Sequence, residues 1–146
     1  MHRTFQLAAL VLVSMVFGIP SHAAQVVGTN SGECVDIAHG VVSDGTPLHQ
    51  FHCHGTPNQQ WTVSNGTITG LGGSCLDILG SAPTEGAQIV IVTCNGRPSQ
   101  NWSIVHGQIV GLGGKCIDVS GGSTQDGAPL ILASCSAAPS QQWSLQ

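Results

Sequence analysis

Residues 34–61 read CVDIAHGVVSDGTPLHQFHCHGTPNQQW, residues 75–102 read CLDILGSAPTEGAQIVIVTCNGRPSQNW, and residues 116–143 read CIDVSGGSTQDGAPLILASCSAAPSQQW. These are three versions of one statement, offset by 41 residues each time. The offset fixes Cys34, Cys75 and Cys116; Asp36, Asp77 and Asp118; Cys53, Cys94 and Cys135; and Trp61, Trp102 and Trp143. A strict period of this length is the signature of a repeat architecture, in which each unit buries its apolar face against its neighbours. The functional question is then which units keep the residues a site needs.

Outward from these blocks, the repeat fills residues 24–146 in units of about 24–64, 65–105 and 106–146, one domain with no linker left over. What precedes it has another character. Arg3 is followed by an apolar run, Phe5–Ile19, and then by the small-residue stretch Ser21-His22-Ala23. This is the pattern of a secretory signal peptide covering residues 1–23, with cleavage expected after Ala23. The run is shorter than the roughly 20 apolar residues a spanning helix needs, so a membrane anchor is not expected. Beyond the signal, Arg97 and Lys115 stand against seven acids, a net charge of −5. With no basic patch, nucleic acid and anionic membrane are excluded as partners, and the mature chain is expected to be a secreted monomer.

Each unit carries two cysteines 19 residues apart. Six cysteines allow 15 pairings. Threefold repetition favours the local set, Cys34–Cys53, Cys75–Cys94 and Cys116–Cys135, because a repeated unit most simply carries its own staple. Export to an oxidising compartment preserves such bonds. Each closes a loop of about 20 residues, for roughly 3 kcal/mol of stabilisation. Zinc would need closer ligand spacing.

No mature segment holds a helical period. Apolar runs are short and β-branched, such as Ile89–Val92 and Leu130–Leu132, and turn signals such as Asn65-Gly66 and Asp126-Gly127 separate them. Short strands between glycine-rich turns predict an all-β fold with about four strands per unit. Four strands per unit of about 40 residues also describes a propeller blade, but three blades do not close. The simplest alternative is a barrel taking two strands from each unit, capped at one end by the remaining hairpins, which also removes free edges.

The Cys-x-Asp-[Ile/Val] blocks, the Gly-[Thr/Ala] before the second strand, the paired cysteines and the closing Gln-x-Trp together resemble the ricin-type β-trefoil lectin family, also described as family 13 carbohydrate-binding modules. The resemblance covers the whole mature chain. It implies a β-trefoil of three pseudo-symmetric repeats and non-catalytic binding of glycans in shallow pockets, up to one per unit.

The three Trp residues are expected in the core, since the mature chain has no Tyr and a single Phe and a small barrel needs bulky filler. Gln59, Gln100 and Gln141 lie two residues before them. On a strand they would share a face with the Trp and satisfy polar groups near the core, with Gln59 also within reach of a sugar.

With each disulfide taken as a bridge between directly opposed residues, Asp36 is expected opposite Phe51 and Ala38 opposite His49. Alternation then puts Asp36, His49 and Phe51 on an outer face and Val35, Ile37 and Leu48 toward the core. A carboxylate accepts hydrogen bonds from hydroxyls, and a ring packs on the apolar face of a pyranose. The same ruler sets Asp77 opposite Val92 and Asp118 opposite Ala133, with Val90 and Ile131 next and facing outward. Neither unit has an aromatic platform. In the resembled family, active repeats carry the Asp, a polar residue four before the second Cys, an aromatic two before it, and an Asn before the Gln. The first unit matches with Asp36, His49, Phe51, Asn58 and Gln59. The other units keep Asp77 with Gln100 and Asp118 with Gln141 but have Ser99 and Ser140 in place of Asn, so these four are weaker candidates.

His39, His49, His52 and His54 crowd the first unit. Imidazoles bind transition metals, but alternation puts His49 and His52 on opposite faces, so neither a metal nor another cofactor is expected. Glycoside hydrolysis needs two carboxyls about 5–10 Å apart. The three repeated Asp residues sit in separate units and no Ser-His-Asp grouping stands out, so no enzyme is expected. The alternative is a protein-interaction or inhibitor scaffold that has lost sugar binding, with Val90, Val92 and Ile131 as an outer apolar patch.

Overall fold

A computed structural model describes residues 23–146. Apart from Ala23, the expected signal peptide lies outside the described residues. The first unit gives β1 (Val26–Gly28), β2 (Cys34–Ile37), β3 (Thr46–Phe51) and β4 (Thr62–Ser64). The second gives β5 (Thr67–Thr69), β6 (Cys75–Ile78), β7 (Ile89–Val92) and β8 (Ser103–Val105). The third gives β9 (Gln108–Val110), β10 (Lys115–Val119), β11 (Leu130–Ser134) and β12 (Trp143–Leu145). The described residues are thus all-β, joined by single 3-10 turns, with four strands per unit in a β-trefoil.

Two kinds of hairpin alternate. Within each unit, β2–β3, β6–β7 and β10–β11 pair in the same register. Across unit boundaries, β4–β5 and β8–β9 form short hairpins, and β12 pairs antiparallel with β1 in the equivalent place. The in-unit hairpins meet one another through Pro47↔Val90, His49↔Pro129 and Gln88↔Ile131. The inward alternation of all six of their strands supplies Val35, Ile37, Leu48, Ile78, Ile91, Ile117 and Leu132, each essentially solvent-free.

The Trp residues close this core as expected. Trp61, Trp102 and Trp143 are buried, and each indole Nε1 donates to a backbone carbonyl of its own unit: Val35 at 2.9 Å, Leu76 at 3.0 Å and Ile117 at 3.1 Å. Burying the ring while satisfying its one donor makes Trp tolerable at the centre of a small core. The three expected disulfides are present, with no free cysteine among the described residues.

The register differs from the expected one by two residues. Asp36 lies opposite His49 and Cys34 opposite Phe51. Likewise Asp77 faces Val90 and Asp118 faces Ile131, with Cys75 opposite Val92 and Cys116 opposite Ala133. The reason is that Cys53 lies past the end of β3, so the bond runs diagonally from Cys34 over a Cα–Cα distance of 5.1 Å. The faces survive this shift, because a slip of two preserves alternation. Two outward expectations fail: Asp36 keeps the expected face but is buried there, and Val90 is fully buried, since β3 covers β7 through Pro47, while Val92 and Ile131 are half-buried.

A second threefold device was not anticipated. Asp44 accepts from Thr93 N at 2.7 Å and Thr93 Oγ1 at 2.9 Å. Glu85 accepts from Ser134 N at 2.9 Å and Lys115 Nζ at 2.7 Å. Asp126 accepts from His52 N and His52 Nδ1, both at 3.0 Å. These acids are again 41 residues apart, and each clasps the residue before the second cysteine of the next unit. The last clasp returns to the first unit and closes the ring. The Lys115 contact and the Ser134 hydrogen bonds lower the Glu85 pKa to about 2.

Candidate functional site

The hairpin β2–β3 and the 3-10 turn Pro57–Gln59 of the first unit enclose a depression of about 260 Å³ lined by Asp36, His39, His49, Phe51, His54 and Asn58. Four of the five leading sequence candidates line it. The fifth, Gln59, is fully buried beneath it.

Gln59 belongs to the turn and not to the expected strand. Its Nε2 donates to Asp36 Oδ2 at 2.8 Å and to the His52 carbonyl at 2.9 Å, and its Oε1 accepts from His54 N at 2.9 Å. Gln100 and Gln141 repeat this clamp, donating to Asp77 Oδ2 and Asp118 Oδ2, both at 3.0 Å. The Gln of Gln-x-Trp is therefore a device for holding the carboxylate, the same in all three units.

The other carboxylate oxygen separates the units. Asp77 Oδ1 accepts from its neighbour Ile78 N at 2.6 Å, and Asp118 Oδ1 from Val119 N at 2.7 Å. Asp36 Oδ1 instead accepts from Asn58 Nδ2 and lies against His49 Nε2, both at 3.0 Å. Asn58 reaches Asp36 because it is one atom group longer than Ser99 and Ser140, which make no bond to their Asp. The weaker candidates are thus turned onto their own backbone, while Asp36 faces the depression. Asn58 is itself fixed, donating to the Ile37 carbonyl at 3.3 Å and accepting from Thr56 Oγ1, which also contacts His54 Nδ1 at 2.7 Å.

Phe51 is half-buried, its centroid 5.6 Å from His49 and 4.6 Å from His52, with His54 edge-on at 6.2 Å. Sequence reasoning missed His39 and His54 as lining residues. His39 carried a legible signal. In register with it stand Gly80 and Gly121, both at positive φ, and His39 holds the same left-handed backbone at φ 57°. A side chain kept where its counterparts are glycine marks a position under a constraint other than the scaffold. Among the described residues, no three His, Cys, Asp or Glu side chains gather as metal ligands.

Behind Phe51 the last clasp is coupled to a third acid. Glu33 lies beside Asp126, with its Oε2 shielded from solvent and unpartnered among the described residues. Burial first, then the hydrogen bond and repulsion from Asp126, raise the Glu33 pKa from 4.5 to about 7. The Asp126 carboxyl is lowered, by hydrogen bonds from Glu33 and His52. An acid whose pKa rises on folding holds its proton more tightly when folded. Its contribution is full below pH 4.5 and is lost as pH climbs through 7. Glu33→Gln should therefore raise the melting temperature relative to wild type by more at about pH 8 than at about pH 4. Equal effects at both pH values in thermal denaturation would contradict the shared proton.

The sequence profile of the ricin-type beta-trefoil lectin domain matches residues 22–146. Among solved structures, a designed 3-fold symmetric protein, ThreeFoil, is 30% identical with a TM-score of 0.78, covering 84% of this chain and 96% of its own. An exo-beta-1,3-galactanase from Clostridium thermocellum is 30% identical with a TM-score of 0.79, covering 88% of this chain, which spans only 31% of that enzyme. A ricin B-like lectin from Macrolepiota procera, solved in complex with lactose, is 24% identical with a TM-score of 0.73, over 86% of this chain and 95% of its own.

Proposed function

This chain belongs to the ricin-type β-trefoil lectin family, and from that premise we propose that it is a secreted, monomeric, non-catalytic carbohydrate-binding protein whose dominant site is the first-unit depression. The observation that carries the reading is the divergent treatment of one repeated carboxylate: only Asp36 is turned by Asn58 and His49 toward a cavity that also holds an aromatic ring. Asp36 Oδ2, bonded to Gln59 at 2.8 Å, keeps a further lone pair for a sugar hydroxyl. The Phe51 ring offers a platform for the C–H face of a pyranose. Asn58 and His49 border the same space and order hydroxyls around it. The lactose complex of the Macrolepiota procera lectin and the three disulfides of this chain accord with an exported glycan-binding role.

A small, open site of this kind binds simple sugars in the millimolar to high-micromolar range, roughly −4 to −6 kcal/mol. On a broad glycan array, Phe51→Ala should reduce retention about tenfold or more, as expected for losing an aromatic stacking contact. Val92→Ala, the register equivalent in the second unit, should leave retention as it is. Equal retention of both variants would remove the site. The protein-interaction alternative is weakened by the burial of Val90, which takes the centre out of its apolar patch.

A further inference from the structure

The first-unit depression is edged by imidazoles. His39, His49 and His54 line it, and His52 stands behind Phe51. None of the three lining imidazoles is part of the threefold scaffold, since the register positions in the other units hold Gly80, Val90 and Asn95, and Gly121, Ile131 and Ser136. His39 is kept despite a φ of 57°. Three independent positions have thus diverged to the same side chain around one cavity.

The carboxylate in this cavity is largely spoken for. Asn58 and His49 engage Asp36 Oδ1, and Gln59 engages Oδ2. His49 Nε2 lies nearest Asp36, at 3.0 Å, with His54 Nε2 at 3.7 Å. His52 is occupied by Asp126 at 3.0 Å, which in turn carries Glu33. His39 has no hydrogen-bond partner among the described residues. The groups facing it across the cavity are Asp36 from β2, His49 from β3, and His54 and Asn58 from the segment after β3. Beyond the signal, Arg97 and Lys115 are the chain's other cations, and Lys115 is held by Glu85. Positive charge in this cavity is therefore supplied by histidine alone, the side chain whose charge ordinarily changes between pH 5 and 8.

We propose that the first-unit pocket selects a sugar bearing a carboxylate, a hexuronate, with His39 as the residue that recognises the acid group, and that this selection strengthens as the medium becomes mildly acidic. The proposal rests on the sugar site proposed above and names its ligand class. Phe51 holds the pyranose, Asp36 and Asn58 take its hydroxyls, and the carboxylate points to the histidine edge. Charge-assisted hydrogen bonds to a carboxylate are about twice as strong as neutral ones.

The test is a set of titrations of the protein with galactose, galacturonate, glucose and glucuronate at pH 7.5 and 5.5. The acid-to-neutral affinity ratio should rise about tenfold on acidification, as expected for gaining a charged partner. His39→Gly, which installs the residue of the other two units, should cut that rise severalfold. His39→Asn, which also tolerates the left-handed backbone, provides a second variant at that position. A ratio that stays flat with pH while neutral sugars bind would overturn this inference and leave the sugar site standing. Binding of neither acidic nor neutral sugar would overturn both. An equal gain for galactose 6-sulfate would overturn the assignment to a carboxylate.

Discussion

Asp36→Ala should abolish detectable sugar retention and also destabilise the fold by about 2–3 kcal/mol, because it orphans donors that are already out of water. Three side chains converge on this carboxylate: Gln59 at 2.8 Å, and Asn58 and His49 at 3.0 Å. Gln59 is fully buried, so the donor it aims at Asp36 has no solvent to turn to. Asp77→Ala provides the internal control. It removes the same clamp from Gln100 in the second unit and should lower stability by a similar amount while sparing retention. Denaturant midpoints and column retention, measured on both variants, separate the two roles. If Asp77→Ala abolished binding as Asp36→Ala does, the loss would come from general unfolding and the assignment to the first unit would fall.

Trp102→Ala should be the most damaging single substitution for stability, at about 3–5 kcal/mol. That is about a fifth or more of the total stability of a typical domain. The ring is 4% exposed and its Nε1 is bonded to Leu76 O at 3.0 Å. It also lies so close to Gly111 that a Cβ there would come within 2.5 Å of its edge, so the surrounding backbone is shaped to this one ring. Trp102→Phe restores much of the volume but leaves the Leu76 carbonyl without its donor, and should recover only part of the loss. A urea midpoint for Trp102→Ala within about 1 kcal/mol of wild type would show that the core refills the space, contrary to its close packing.

Much of this was legible in the sequence because repetition multiplies a weak signal by three. The all-β units, the local disulfides and the buried Trp trio follow from spacing and residue type alone. The distinction between units was visible in Asn58 against Ser99 and Ser140, and in Phe51 against Val92 and Ala133. The register was misplaced by two residues because a disulfide was taken as joining opposed positions, whereas Cys53 lies beyond its strand. The acids Asp44, Glu85 and Asp126 were spaced by 41 residues in plain sight. Their role stayed hidden because their partners include backbone N–H groups of other units, which carry no residue-type signal. His54 was missed for a related reason, since its place at the cavity depends on how the turn Pro57–Gln59 folds back over β2.

The clasp from Asp126 to His52 and the pairing of β12 with β1 join the last unit to the first much as each unit is joined to the next. Gln25 and Gln146 even exchange backbone hydrogen bonds, at 2.7 and 2.9 Å. Which unit is encoded first is therefore immaterial to the folded object, so long as their cyclic order is kept. A circularly permuted gene, opened at the turn between β4 and β5 and bridged from Gln146 to Gln25, would specify the same packing.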